Sequence, residues 1–288
     1  MSGDETGKAR MTEMVTPNVF CVIPVHNRIA ITRQCIEYLA KQDYPAIQII
    51  VVDDGSTDGT GEYLTQCELP NLTVLKGDGN LWWGGAMHMG IKLVADLAQD
   101  TDYLLMLNDD VRIETNFTSS LVNASAALGG AVVGAQQRDE ATREPIGYGY
   151  RIDFWGMRFI PLDSNDDTMV DALPGRGVLF PYRAVASVGN LNKNLFPHYL
   201  ADLEYTSRVR EKGWQLVVSK NVAIFTSQES SDKVFSENGW FIRYLSWKSK
   251  DCIIVKFLFF SLRGPWPLRI LALPRFILVN CLSLLKYA

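Results

Sequence analysis

Three clusters of carboxylates stand out as residues able to do chemistry together. Tyr103 to Val111 reads YLLMLNDDV, an apolar run that stops abruptly at Asn108-Asp109-Asp110. Ile47 to Val52 reads IQIIVV and runs into Asp53-Asp54-Gly55-Ser56-Thr57-Asp58. His198 to Lys212, HYLADLEYTSRVREK, carries Asp202 and Glu204 near its start. Adjacent acids are costly unless something cationic neutralises them. A divalent cation on a diphosphate would do so, because hard cations prefer oxygen ligands. The plainer reading of Asn108 to Asp110 is a solvated turn, since Asn and Asp are common turn formers. For Asp202 and Glu204 it is a first helical turn favoured by the helix dipole.

These clusters need elements to hold them. Val19 to Val25 (VFCVIPV), Ile47 to Val52, Leu72 to Lys76 and Tyr103 to Leu107 read as strands, most of them buried on both faces. Between the first two, Ile29 to Gln42 suits a helix packed on a sheet. Thr57 or Asp58 is an N-cap for the next helix. A Gly- and Trp-rich loop, GDGNLWWGGAMHMG, precedes a helix ending near Ala98. The β-α-β alternation predicts an α/β fold, with a mainly parallel sheet flanked by helices. Both acid pairs then fall at carboxyl ends of strands, the ligand side of such sheets. Neither G-x-G-x-x-G after the first strand nor G-x-x-x-x-G-K-[ST] is present, so no glycine cradle holds phosphate.

Further on we expect a helix over Glu114 to Leu128, strands at Ala131 to Ala135 and Val178 to Pro181, and a short helix at Tyr182 to Val188. The His198 to Lys212 helix and strands at Leu216 to Ser219 and Val222 to Phe225 follow. The stretch from Gln136 to Asp171 is polar and irregular, with short strands near Ile146 to Arg151 and Met157 to Pro161. Irregularity of that length inside a domain is more often functional than structural.

Composition sets the outer limits. The chain is 47% hydrophobic and 21% charged, with net charge −4, which suits a globular protein and excludes a nucleic-acid binder. Five scattered cysteines without a Cys-x-x-Cys pair point to reduced thiols, not a disulfide frame or zinc site. Residues 1–17 read as a loose polar tail without a secretory signal. Residues 18–239 form the main domain. From 240 to 288 the chain turns basic and apolar: eight Lys or Arg stand against Asp251 alone. No uncharged apolar stretch in it reaches the length of a membrane span, and Pro265, Pro267 and Pro274 break it into short pieces. It fits helices lying in an anionic membrane face, or a helix pair packed on the domain or on a second subunit.

Four stretches in order, VIPVHNR, VVDDGSTDGT, LLMLNDDV and ADLEYTSR, resemble the family 2 glycosyltransferases of the GT-A (Rossmann-like) fold. The loop GDGNLWWGGAMHMGI is similar to a subgroup serving bacterial cell-surface polysaccharides, such as lipopolysaccharide O-antigen, with rhamnosyltransferase-like members. The resemblance covers Val19 to Ser227. It implies an inverting, metal-dependent transfer of a hexosyl or deoxyhexosyl unit from a UDP-, dTDP- or GDP-linked donor. The acceptor would be a hydroxyl of a glycan or lipid-linked molecule, and the enzyme would sit in the cytoplasm, peripheral at the inner face of the plasma membrane. Asp54 would pair with the donor base, supported by Asp53, with Pro24, His26 and Asn27 lining the nucleoside pocket. Asn108-Asp109-Asp110 would be the Asp-x-Asp motif, with Asp109 facing the ribose and Asp110 holding Mg²⁺ or Mn²⁺. Asp202 would be the catalytic base, its pKa raised by desolvation among Trp82, Trp83 and Tyr199.

Two departures from the family pattern matter. Asn108 replaces a carboxylate, and IFTSQES after the last strand has Thr226 and Gln228 with no histidine. Trp82 and Trp83, with Gly84 and Gly85, read either as a sugar-stacking wall or as a core plug. Arg176 reads as a diphosphate or acceptor contact or a surface turn, and Arg28 is equally open. Glu204 joins the acceptor-side candidates. Two other readings stay open. One is a sugar-nucleotide nucleotidyltransferase, against which VHNR lacks a Gly-rich basic loop. The other is a silent subunit that kept the fold.

Overall fold

A computed structural model describes residues 16–147, 149–162, 168–226 and 252–277. Its elements are β1 (Val19–Val25), α1 (Ile29–Ala40), β2 (Ile47–Asp53), α2 (Thr60–Gln66), β3 (Leu72–Lys76), α3 (Trp82–Leu97), β4 (Tyr103–Met106), β5 (Arg112–Ile113), α4 (Phe117–Ala127), β6 (Val132–Asp139), β7 (Pro145–Gly147), β8 (Tyr150–Asp153), β9 (Arg158–Pro161), β10 (Thr168–Met169), β11 (Val178–Pro181), α5 (Tyr182–Val188), α6 (Ala201–Glu211), β12 (Leu216–Thr226), α7 (Ile253–Arg263) and α8 (Trp266–Ile270). The main sheet runs β3-β2-β1-β4-β11-β6-β12-β10. The half from β3 to β4 is parallel, as are β6 and β12, whereas β11 lies antiparallel to both β4 and β6. Beside it β8 and β9 form a separate hairpin.

Strand alternation divides the core into two layers. Along β1, Phe20 and Val22 face one side with α3, α5, α6 and α7, while Val19, Cys21, Ile23 and Val25 face the other with α1, α2 and α4. The same parity holds in β2, with Ile50 and Val52 on the α3 side and Ile49 and Val51 on the α1 side. Successive residues at a strand end therefore leave on opposite faces, which decides where each carboxylate goes.

Several boundaries differ from the sequence reading for physical reasons. The Gly- and Trp-rich stretch is largely helix: α3 begins at Trp82 and contains Gly84, Gly85 and Gly90. A Cβ at Gly90 would collide with Val22, and one at Gly84 would lie 2.5 Å from the Phe196 carbonyl oxygen. These glycines let the helix press onto the sheet and the 196–197 backbone, at a helix-propensity cost. The α6 helix begins at Ala201, not His198, because Leu200 is left-handed with φ 63°. The two expected terminal strands are one strand, β12, with a bulge between Ser219 and Ala223. One face of α7 packs on the domain, with Val255, Phe259 and Phe260 in the α3-side core. Among the described residues no helix is long and apolar enough to cross a membrane. Arg243, Lys248, Lys250 and Lys286, and nearly all of the expected N-terminal tail, lie outside the described residues.

Replacing Gly90 with Ala should lower stability by about 1–3 kcal/mol through overpacking against Val22. Urea unfolding would show it as a lower midpoint at unchanged slope; an unchanged midpoint would contradict the close approach.

Candidate active site

The parity of β2 separates the first acid pair. Asp53 turns to the α2 side, where its Oδ1 accepts the Ser56 N–H at 3.0 Å and closes the loop. Asp54 turns to the α3 side, where its two oxygens accept the N–H groups of Gly79 at 2.9 Å and Trp82 at 3.0 Å. Asp54 thus ties the strand end to the start of α3. It keeps further lone pairs for a ligand donor, since a carboxylate has about four acceptor sites. Around it, His26 Nδ1 donates to the Asp54 carbonyl at 2.6 Å and Asn27 Oδ1 accepts the Thr57 N–H at 2.7 Å. Pro24, paired with Val52, completes this floor.

The second cluster divides in the same way. Asn108 goes to the α3 side, and its Oδ1 accepts the Trp83 indole N–H at 2.9 Å. Asp109 goes to the α1 side, accepting from Thr32 Oγ1 and Arg28, each at 3.3 Å. Burial pushes the Asp109 carboxyl up to about 6, and the Arg28 guanidinium offsets part of that rise. Asp110 stands between two arginines: its Oδ2 is 3.6 Å from Arg28 and 3.7 Å from Arg176. Its Oδ1 is buried and has no hydrogen-bond partner among the described residues.

The third carboxylate reaches the same place through Gly175-Arg176. Asp202, at the start of α6, accepts the Gly175 N–H at 2.7 Å on Oδ2 and the Leu203 N–H at 2.8 Å on Oδ1. The neighbouring Arg176 is the one paired with Asp110. The Trp83 ring packs over Gly175 beside the Asp202 Cβ. The α3 start is held to the segment before α6 by the Gly84 N–H, which donates to the Pro197 carbonyl at 2.8 Å. Asp54 thus holds Trp82, Asn108 holds Trp83, Asp202 lies beside Trp83 across Gly175, and Arg176 links that turn to Asp110. Desolvation raises the Asp202 pKa above the ordinary carboxylate value, opposed by its two backbone hydrogen bonds and by Arg176.

Some expected residues are not brought here. Glu204 is buried against the tail, 2.9 Å from Arg208 and 3.8 Å from Arg263 of α7, so it serves the α6–α7 contact and not the acceptor side. Asp53 acts through the loop, and Gly85 sits inside α3. At the end of β12, Thr226 Oγ1 donates to the Asp110 carbonyl at 3.5 Å, while Gln228 lies outside the described residues. The sequence reading missed His198. Its ring lies 5.5 Å from Trp82 and 4.3 Å from Tyr199, edge to face in both cases, and its Nδ1 is buried without a partner among the described residues. Its place in the stretch leading into Asp202 was the only signal. Arg28, left open between a diphosphate or acceptor contact and a surface turn, lies against both Asp109 and Asp110.

No three His, Cys, Asp or Glu side chains among the described residues converge to hold a metal unaided. The unpartnered Asp110 Oδ1 does fit a cation that takes its remaining ligands from a diphosphate and water, the usual habit of Mg²⁺.

A family model described as glycosyl transferase family 2 matches residues 20–175, more than half of the chain. The chain belongs to that family. Glycosyltransferase GlyG of Streptococcus pneumoniae is 28% identical over 113 residues, a match covering 38% of this chain and 35% of GlyG. Two solved structures share the fold, with TM-scores of 0.59 and 0.56. GalNAc-T7 with UDP, GalNAc and Mn²⁺ is 14% identical, over 75% of this chain and 44% of its own. The mannosyltransferase PcManGT of Pyrobaculum calidifontis with GDP-Man and Mn²⁺ is 13% identical, over 94% of this chain and 76% of its own. The architecture of this family 2 chain is thus the GT-A arrangement, a mixed and mostly parallel sheet flanked by helices.

The His198 environment makes a pH prediction. Desolvation, with a smaller contribution from Arg28, lowers its pKa from 6.5 to about 4. A group whose folded pKa is depressed adds stability that is complete above its unfolded pKa and is lost as pH falls toward the folded one. Asp109, raised from 3.8 to about 6, works in the opposite sense, losing stability as pH rises through that window. The wild-type minus His198→Gln difference in melting temperature isolates the histidine. It should shrink as pH falls from 6.5 to 4; parallel curves would contradict the burial of a neutral ring.

Proposed function

We propose that this chain is an inverting, metal-dependent glycosyltransferase that moves a hexosyl or deoxyhexosyl unit from a nucleotide sugar to a hydroxyl. The acceptor is a glycan or lipid-linked molecule of bacterial surface polysaccharide synthesis, in the manner of the rhamnosyltransferase-like subgroup. The observation that carries the reading is the Gly175-Arg176 turn. Its N–H is held by Asp202 and its guanidinium by Asp110, so one dipeptide joins a carboxylate beyond β4 to a carboxylate of α6.

Each group then has a chemical role. Asp54 receives the donor base, on the floor made by Pro24, His26 and Asn27, and Asp53 keeps that loop closed. Asn108 borders the ribose, while Asp109, turned to the α1 side, holds Arg28 in place. Asp110 Oδ1 would hold Mg²⁺ or Mn²⁺ when the donor is bound. A cation there supplies Lewis-acid stabilisation of the leaving group. Arg28 and Arg176 are placed to share the growing negative charge as the anomeric carbon–oxygen bond breaks. Asp202 takes the proton of the acceptor hydroxyl as its oxygen bonds to the anomeric carbon, and the nucleoside diphosphate departs. One base and one displacement give inversion. The raised Asp202 pKa strengthens it as a base. Trp82 and Trp83 form the apolar wall for the sugar. UDP and GDP-Man in the similar solved structures support a nucleotide-sugar donor here. The basic segment 240–288 supports work at the inner membrane face.

Asp202→Asn should cut transfer from UDP-, dTDP- or GDP-linked sugars by about 10²–10⁴-fold. It should keep the rise in melting temperature that the matching nucleotide gives with Mn²⁺. The wild-type rate should fall on acidification at a pH above the ordinary carboxylate range, because the base must be ionised. Undiminished turnover in the variant would remove Asp202 from the reaction.

A further inference from the structure

The large exposed apolar side chains of the chain are unevenly spread. Trp266 is 73% exposed and Ile270 64%, and Leu271, Leu273 and Ile277 follow on the same short segment. Trp155, at the turn of the β8–β9 hairpin, is 67% exposed although it is more than a hundred residues away in sequence. The two places are clipped together by Arg275. Its guanidinium lies 5.3 Å from the Trp155 ring centroid and donates to the carbonyls of Leu268 at 2.9 Å, Trp155 at 3.0 Å, and Phe154. Beneath them Phe154 packs edge-on against Phe260 of α7, fixing the hairpin to the domain. Holding the exposed Trp155 turn against the segment that follows Trp266 has no use in core packing, and exposed apolar side chains gathered in this way mark a contact site.

Charge selects the occupant. A cavity of about 400 Å³ opens between the hairpin and the tail, lined by Phe154, Asp171 and Glu211 and by three arginines, Arg210, Arg263 and Arg269. The whole segment 240–288 has eight basic residues against one acid. The two acids of the cavity are taken up in ion pairs, Asp171 with Arg210 at 3.0 Å and Glu211 with Arg263 at 2.9 Å. Tryptophans beside aliphatic side chains, with Arg269 and Arg275 at their border, match the headgroup level of an anionic bilayer. We propose that the β8–β9 turn and the α8 segment form one docking face for an anionic phospholipid membrane, with Arg269 at the edge of the cavity meeting a lipid phosphate. This deepens the membrane-side half of the reading above by adding a part of the catalytic domain, Trp155, to the contact. The hairpin that carries Trp155 also reaches Ala172 by the Tyr150 backbone, three residues before the Gly175-Arg176 turn, so the docked face and the active site share one short stretch of chain.

Flotation of the full chain with vesicles tests this directly. Phosphatidylcholine vesicles containing phosphatidylglycerol should carry the protein, pure phosphatidylcholine vesicles should carry far less, and raised salt should weaken the binding. The triple variant Trp155→Ser, Trp266→Ser, Ile270→Ser changes only exposed side chains and should bind about tenfold less or weaker. Trp155→Ser alone should also reduce binding, which a tail-only contact would not. Arg269→Gln should narrow the difference between the two lipid mixtures. Melting temperature and the nucleotide-dependent rise with Mn²⁺ are measured on the same samples. A chain that responds to nucleotide but binds no vesicle, or binds equally well as the triple variant, overturns the docking face and leaves the transferase reading standing. A wild type that dimerises without lipid, with the dimer lost in the triple variant and no vesicle binding, overturns it in favour of a protein contact. Vesicle binding without any nucleotide response would sustain the face and count against the transferase.

Discussion

The structure turns on the neutralisation of buried carboxylates at the ends of parallel strands. Asp54 and Asp109 are almost wholly withdrawn from water, and Asp110 is little more exposed. A carboxylate there is tolerated only with donors or cations around it. The chain supplies backbone N–H groups for Asp54 and the guanidiniums of Arg28 and Arg176 for Asp109 and Asp110. Arg28 comes from the turn after β1 and Arg176 from the turn before β11. Satisfying the strand-end charges therefore draws distant loops to one place, and Asp202 arrives with the Gly175-Arg176 turn.

The same arrangement keeps acid side chains unequal. Asp109 has two side-chain donors, Asp110 has cations on one oxygen and none on the other, and Asp202 has two backbone donors. These environments suit different work: a charge held still, an oxygen open to a cation, and a base whose proton affinity is raised by desolvation. The two tryptophans are held from different sides. The Trp83 indole is hydrogen-bonded to Asn108 and packed on Gly175, while Trp82 meets His198 at its edge.

Much of this was legible in the residues. The spans of β1, β3, β11 and α5 match the sequence reading, because clear breakers bound each of them. The acids were found because they interrupt such runs. The start of α3 was not legible: glycines read as loop, and only the nearness of Val22 and the 196–197 carbonyls explains them inside a helix. The start of α6 was hidden by the left-handed Leu200, a conformation no propensity scale assigns to leucine. Which member of each acid pair enters the cleft was encoded in strand parity, yet parity becomes decisive only when one knows which helices cover which face. Glu204 looked like a partner of Asp202, two residues away. Its counter-charges Arg208 and Arg263 lie in its own helix and the tail, and only packing shows that.

The central claim is a division of labour between Asp110 and Asp202 within one cleft. Mn²⁺ binding followed by electron paramagnetic resonance, in the presence of whichever of UDP, dTDP or GDP stabilises the protein, tests it most directly. Wild type and Asp202→Asn should immobilise Mn²⁺ equally in the nucleotide complex, and Asp110→Asn should leave it free in solution. Full Mn²⁺ binding by Asp110→Asn, or its loss in Asp202→Asn, would contradict the account.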